Sequence, residues 1–475
     1  ILATVNNGGV APSGGGGGGG SSGPVAVTNA AGTTDTNPSG TTTLTVTNSG
    51  TYTNNGTTGD VTNNSGGVYT NNGTGGDVTN SGTFTNSSGG TVGAVTNNSG
   101  GSFTNGGTTG NVTNAGTFTN SSGGVTGTVS NSGTFTNAGT VTTVTNTGTF
   151  TNTGTTGAVT NTSGTFNNNA GGTTGTVNNS GTFNNRGTVT TVTNNSGGTF
   201  TNYSTGVTGA FTNSGTLTNN SGGTIASLTN SNIATNNGTV SGNVINNSGA
   251  TLTNGGTIGG TLRNSGTATN SGTVVGSTTN YNQLTNNGTM AAVSNQGGSF
   301  TNGVNGTTGN VITGIGSYGQ ANVLFTNNGT VNGNLTQKES GTSTNTGRIT
   351  GTVSNTGTFN NTGTVVGTTT QSENGAITNG AGGTLAAVNM TGGTITNNGT
   401  TGDVTLNSYT DRNNVTYTAT ADNFGTMGNV TLSNSANTFT NESTGTIASL
   451  TNAGTTTNNG AITGTVTNTG TLTNA

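Results

Sequence analysis

The sequence predicts an all-β chain, a single elongated β-solenoid (parallel β-helix) of about 25 coils with 15–19 residues per coil. Three observations carry this. The tetrad Thr-Phe-Thr-Asn, with other residues sometimes in its central slot, returns in one register along nearly the whole chain. A second motif, Val-Thr-Asn, follows each tetrad after about nine residues. Finally, only 24% of 475 residues are hydrophobic while 93 are Gly. So few apolar residues cannot fill about three ordinary cores, but a one-dimensional stack needs only two or three inward side chains per coil.

Each element of the repeat has a local reason. Thr-Phe-Thr alternates with period two, which turns one large side chain inward and two hydroxyls outward. Its slot holds Tyr52, Tyr69, Phe84, Phe103, Phe118, Phe135, Phe150, Phe166, Phe183 and Phe200, and later Tyr417, Phe439 and Leu472. The eight phenylalanines from Phe84 to Phe200 form the expected core ladder. The second slot holds Val61, Val78, Val95, Val112, Val129, Val144 and Val159, and a third sometimes intervenes, as at Val141. Phe, Val and Thr suit a pleated, half-buried surface. Asn-Gly, Ser-Gly and Gly-Gly are expected to supply positive-φ corners. Four coils place Ala234, Ala268, Ser343 or Thr456 in the Phe slot, with Ile233 and Leu262 as candidates to fill the space.

Apolar burial from so few side chains does not offset the ordering entropy of about sixteen residues per coil. The remainder must come from parallel backbone ladders and from stacking of like side chains. Asn follows almost every Thr-Phe-Thr and every Val-Thr. Two Asn ladders are therefore expected, with amides bonding up and down the stack. The competing reading is that these Asn merely tolerate left-handed corners.

The chain divides into residues 1–30, a strand-like segment plus a Gly-rich linker with seven Gly at 14–20, and residues 31–475, the repeat domain. A start at Ile1 fits removal of a targeting segment, and the last residues stop inside a repeat. A tethered apolar strand, Ile1, Leu2, Ala3, Thr4 and Val5, together with an open terminal coil at Leu472, suggests head-to-tail assembly of copies of this chain. Residues 312–323, 371–374 and 407–424 interrupt the pattern, and the last reads as a side loop on the stack.

The missing residue types exclude whole chemistries. There is no His, Cys or Trp, hence no imidazole base, thiolate, zinc site or disulfide. Five Lys+Arg cannot track a phosphate backbone, which excludes nucleic acid as a partner. No apolar run approaches the ~20 residues of a membrane span. Sparse carboxylates form no catalytic constellation, so no enzyme, no catalytic residue and no cofactor is expected. Asp60 and Asp77 share a Gly-Asp-Val slot one coil apart and are weak Ca²⁺ candidates, although Asn takes the same slot elsewhere. The outward Thr pairs of Thr-Phe-Thr would make two parallel columns similar to the Thr-x-Thr arrays of ice-binding β-solenoids.

The phrases Asn131-Ser132-Gly133-Thr134-Phe135-Thr136-Asn137 and Gly187-Thr188-Val189-Thr190-Thr191-Val192-Thr193-Asn194 resemble the degenerate repeats of large bacterial autotransporter passengers and filamentous-adhesin β-solenoids. The resemblance covers residues ~41–475 in texture. It implies secretion to the cell surface and work as an adhesin, a matrix component or a surface fibre. The expectation is therefore an extracellular structural protein, the subunit of a self-assembling surface filament or biofilm-matrix fibre. Alternatives are an adhesin stalk that binds surfaces or cell-surface glycans, and an ice-binding protein.

Overall fold

The computed structural model describes residues 24–314, 323–338 and 341–475, together with the backbone of residues 4–6. Two compact units divide the chain, residues 1–227 and 228–475. Each is a β-solenoid of parallel strands, and no helix occurs among the described residues.

In the first unit one column of strands carries the Phe slot and runs from Thr34–Asn37 to Thr216–Asn219. Neighbours pair in parallel with like residues opposite, as in Phe118↔Phe135 and Phe135↔Phe150. The other wall carries the Val slot. Its longer strands, such as Thr140–Asn146, bury Val141 and Val144 with two residues between them instead of one. That break in alternation bends the strand and makes a corner, so a coil has three inward positions. The second unit repeats the plan from Ile233–Asn236 to Thr471–Asn474.

Corners explain the repeat length. A short corner is Asn-x-Gly, as at Asn137-Ala138-Gly139, and a long one is Asn-x-x-Gly-Gly, as at Asn120 to Gly124. Two short corners separate Phe135 from Phe150 by 15 residues; one of each separates Phe118 from Phe135 by 17; two long ones separate Phe84 from Phe103 by 19. Glycine has two different duties here. In the long corner Gly123 takes φ +84°, and the Gly124 N–H closes the turn onto Ser121 O at 2.9 Å. In the short corner Gly139 keeps ordinary φ, but a Cβ there would lie 2.1 Å from the carbonyl oxygen of Gly124 in the coil below. The expected positive-φ role thus belongs to the long corners, while close approach of stacked coils fixes glycine in the short ones.

Two slot assignments change. The strand opposite Thr394–Ile395 places Ala421 beside Ile395, so Ala421 and not Tyr417 fills that slot. Tyr417 belongs to an antiparallel hairpin with Tyr409, the side loop expected at residues 407–424. One slot at the start was missed: Asp35 aligns with Tyr52 and is half-buried. The stack also begins earlier than residue 31, because Val25–Asn29 already pairs with Thr42–Asn48. The Gly run at 14–20 lies outside the described residues, as do positions 315–322 of the first interruption.

Small Phe-slot residues are balanced within their own coil, though not by Ile233, which is 48% exposed, nor by Leu262, which occupies the Val slot beside Val244. The third slot does it instead. Ala234, Ala268, Ser343, Ala421 and Thr456 occur with Val240, Val274, Ile349, Met427 and Ile462. Behind the large rings of Phe166 and Phe200 the same slot holds Thr174 and Thr208. The slot is aliphatic behind other rings too, with Val141 in the coil of Phe135 and Val189 in that of Phe183, so each of these five small residues meets a larger third-slot side chain but the reverse does not hold. The Oγ1 atoms of Thr174 and Thr208 are buried without a hydrogen-bond partner. Thr174→Val and Thr208→Val should each stabilise the first unit by about 1 kcal/mol, read as a raised midpoint in urea, because Val already fills this slot at Val141 and Val189.

Candidate functional site

The features that recur are columns, and each is built from one residue type held at one strand position. In the first unit the Asn that ends each Phe strand is fully buried. Its Nδ2 donates to Oδ1 of the equivalent Asn in the next coil, without a gap from Asn37 to Asn219, at 2.7–2.9 Å. A second column, from Asn29 to Asn213, does the same at the end of the Val strands. The Asn also serve the corners: Asn137 Nδ2 donates to Thr155 O at 3.1 Å, and Asn131 Nδ2 to Gly133 O at 3.1 Å. The expected ladders are present, and they carry corner support in the same side chain.

In the second unit the Phe-side ladder is again continuous, from Asn236 to Asn474. The Val-side ladder is not. After Asn295 its positions hold Thr313, Gln337, Asn355, Gln371, Met390, Leu406 and Leu432 before Asn452 resumes it. The three interruptions of the repeat adjoin positions where the column holds something other than Asn: Thr313, Gln371 and Leu406.

Inside the first unit the rings of Tyr52, Tyr69, Phe84, Phe103, Phe118, Phe135, Phe150, Phe166, Phe183 and Phe200 form one stack. Centroids lie 4.7–5.1 Å apart and planes within 19° of parallel. Strand spacing imposes that separation. Phe211, in a Val slot, ends the run edge-on to Phe200 at 80°. Burial pushes the phenols of Tyr69 and Tyr52 above their ordinary value near 10, and Tyr69 OH also lies 3.3 Å from Thr58 Oγ1. The folded state therefore favours the neutral phenol. Its contribution to stability is complete below pH 10 and drains away as pH rises from there through the raised folded value. Alkaline titration should loosen the coils around Tyr52 and Tyr69 only above pH 10, and Tyr69→Phe should move that onset upward, followed by absorbance at 295 nm and circular dichroism.

The Ca²⁺ candidates have another use. Asp60 Oδ1 accepts the Asp77 N–H at 3.0 Å, and Asp77 Oδ1 accepts the Ala94 N–H at 2.7 Å. Asn111 does the same for Thr128, and Asn243 for Thr261. Each side chain ties a bend to the coil above it, a job that amide and carboxylate perform equally, which is why the two alternate. Among the described residues no three Asp or Glu side chains converge on a point that could hold a metal ion.

Of the few cations, Arg186 lies over the ring of Tyr203, with Cζ 3.7 Å from the centroid, and Arg263 over Tyr281 at 4.9 Å. The outward Thr columns are present in the first unit: Thr117, Thr134 and Thr149 align, as do Thr119, Thr136 and Thr151. Val68 and Ser102 interrupt the first column, and Asn167 and Asn184 the second. As for the assembly residues, Thr4–Asn6 pairs in parallel with residues 26–28 of its own chain. Ile1, Leu2 and Ala3 lie outside the described residues, as do the side chains of Thr4 and Val5. Leu472 occupies the Phe slot of the last coil, beside Thr456.

Parallel strands stacked one coil per repeat, with a Phe-side Asn column linked through the coils of each unit, define a β-solenoid repeat protein. No family model and no curated protein matches the chain. Among solved structures it is similar to one described as the crystal structure of a TibC-catalyzed hyper-glycosylated TibA55-350 fragment. That likeness has 23% identity, covers 61% of this chain and 95% of that one, and has a TM-score of 0.26. No residue role is carried over at that level of similarity.

Proposed function

We propose that the protein is an extracellular structural protein, a subunit of a surface filament or matrix fibre formed by head-to-tail stacking of solenoid coils. The observation that supports this reading is the unbroken amide ladder on the Phe side of each unit. Such a column gives every coil the same contact above and below, and a further copy can extend it by the same bonds. Fourteen charged residues in 475 leave little for salt or pH to act on. Stiffness and chemical inertness are what a fibre requires, and both follow from one repeated unit.

Imaging decides it. Protein isolated from its native surface should form filaments in negative stain and give a meridional reflection near ~4.8 Å in fibre diffraction. A monodisperse monomer at all concentrations in light scattering would count against assembly and leave the adhesin stalk as the better reading. The aligned Thr columns favour ice binding as a second reading; absence of thermal hysteresis in the purified first unit's parent chain would dispose of it.

A further inference from the structure

The hairpin of the second unit builds a pocket. Tyr409–Thr410 and Thr416–Tyr417 pair antiparallel, and Asp411 Oδ1 ties the turn between them by accepting the N–H of Asn413 at 2.9 Å and of Val415 at 2.8 Å. The returning strand brings Tyr417 against a corner where the column holds Gln371, which still accepts from Asn355 Nδ2, and then Met390. That corner contains Glu373 with φ +58°, a left-handed conformation that a non-glycine residue adopts only when its surroundings hold it there. Gly392 lies between them. A Cβ at Gly392 would fall 2.6 Å from Glu373 O and 2.7 Å from Tyr417 Cβ, so glycine is what admits the strand so closely. The resulting cavity has a volume of about 420 Å³ and is lined by Thr356, Thr358, Glu373, Asn374, Ala376 and Tyr417.

We propose that this pocket binds a neutral sugar residue of a glycan. Two hydroxyls, an amide and a carboxylate can both donate to and accept from a polyhydroxylated ring, and the Tyr417 ring offers a surface for its C–H face. Among the described lining residues there is one carboxylate and no Lys or Arg, which disfavours an anionic ligand. One carboxylate among the described lining residues is a poor cage for Ca²⁺, which takes six to eight oxygens. The predominance of polar groups disfavours a lipid. The inference stands apart from filament assembly and gives the adhesin alternative its ligand class and its residues.

The test uses the full chain on a printed array of hexose- and N-acetylhexosamine-terminated oligosaccharides beside their sialylated and sulfated counterparts. Neutral glycans should bind, and Tyr417→Ala and Glu373→Gln should each weaken binding at least tenfold with an unchanged unfolding midpoint, while Thr151→Ala leaves binding intact. Binding confined to the acidic glycans, binding to none, or binding that survives both pocket variants would overturn the proposal. Negative-stain images of the same preparations report separately on the filament.

Discussion

Asn137→Leu should destabilise the first unit by about 3–5 kcal/mol, more than its modest volume change suggests. Leu cannot donate to Asn152 Oδ1 or accept from Asn120 Nδ2, and both bonds are 2.8 Å long in the wild type. Each neighbour is fully buried and would keep a polar atom without its ladder partner. The contact to Thr155 O is lost as well. The same argument predicts that three substitutions in a row, at Asn120, Asn137 and Asn152, cost less than three times the single change, because a ladder interrupted once has only two broken ends. The second unit has such an interruption: Met390, Leu406 and Leu432 replace the amide in consecutive coils, and the column resumes at Asn452. Hydrogen exchange over residues 114–161 would measure both effects locally, which suits a repeat protein whose unfolding need not be all-or-none.

Phe150→Ala should cost about 3–5 kcal/mol, the ordinary penalty for emptying an aromatic site in a packed core. It also removes two ring contacts at 4.7 and 4.8 Å. The informative variant is the double one, Phe150→Ala with Thr156→Ile. It copies the pairings Ser343 with Ile349 and Ala268 with Val274, in which the third slot supplies the volume that the Phe slot lacks. Recovery of about 1–2 kcal/mol in urea unfolding is expected. Equal loss in the single and double variants would show that the two slots do not share one space.

The fold and the ladders were legible because one short motif carries them. Thr-Phe-Thr-Asn states in four residues which side chain goes inward, which face water and which amide stacks, and it does so wherever the register holds. Misassignment occurred where another segment imitated the motif. Thr416-Tyr417-Thr418 reads as a coil strand, whereas the true one, Thr420-Ala421-Asp422-Asn423, has a small core residue and a charge and looks like a loop. Asp35 was passed over for the same reason: a carboxylate is not expected opposite Tyr52. The two duties of glycine look alike in the sequence, because close approach to a carbonyl one coil below depends on stacking that local sequence does not report. The pocket was still less visible. Thr356 and Glu373 meet because their coils stack, but Tyr417 is distant in sequence and only the hairpin's return past Gly392 brings it to them. The pocket's signals in the sequence are two interruptions of the repeat, 371–374 with Glu373 and Asn374, and the charged, Tyr-containing 407–424.

The central claim is that each repeat is one coil and that buried asparagine columns join the coils. The most direct test is the exchange rate of the asparagine side-chain amide protons, observed by nuclear magnetic resonance on ¹⁵N-labelled protein. Amides of the two columns, such as Asn120, Asn137 and Asn152, should exchange as slowly as the strand N–H groups beside them. Exposed asparagines such as Asn374 should exchange freely. If the column amides exchanged at the rate of the exposed ones while the strands stayed protected, the ladders would not be the linkage described, and the account would fail.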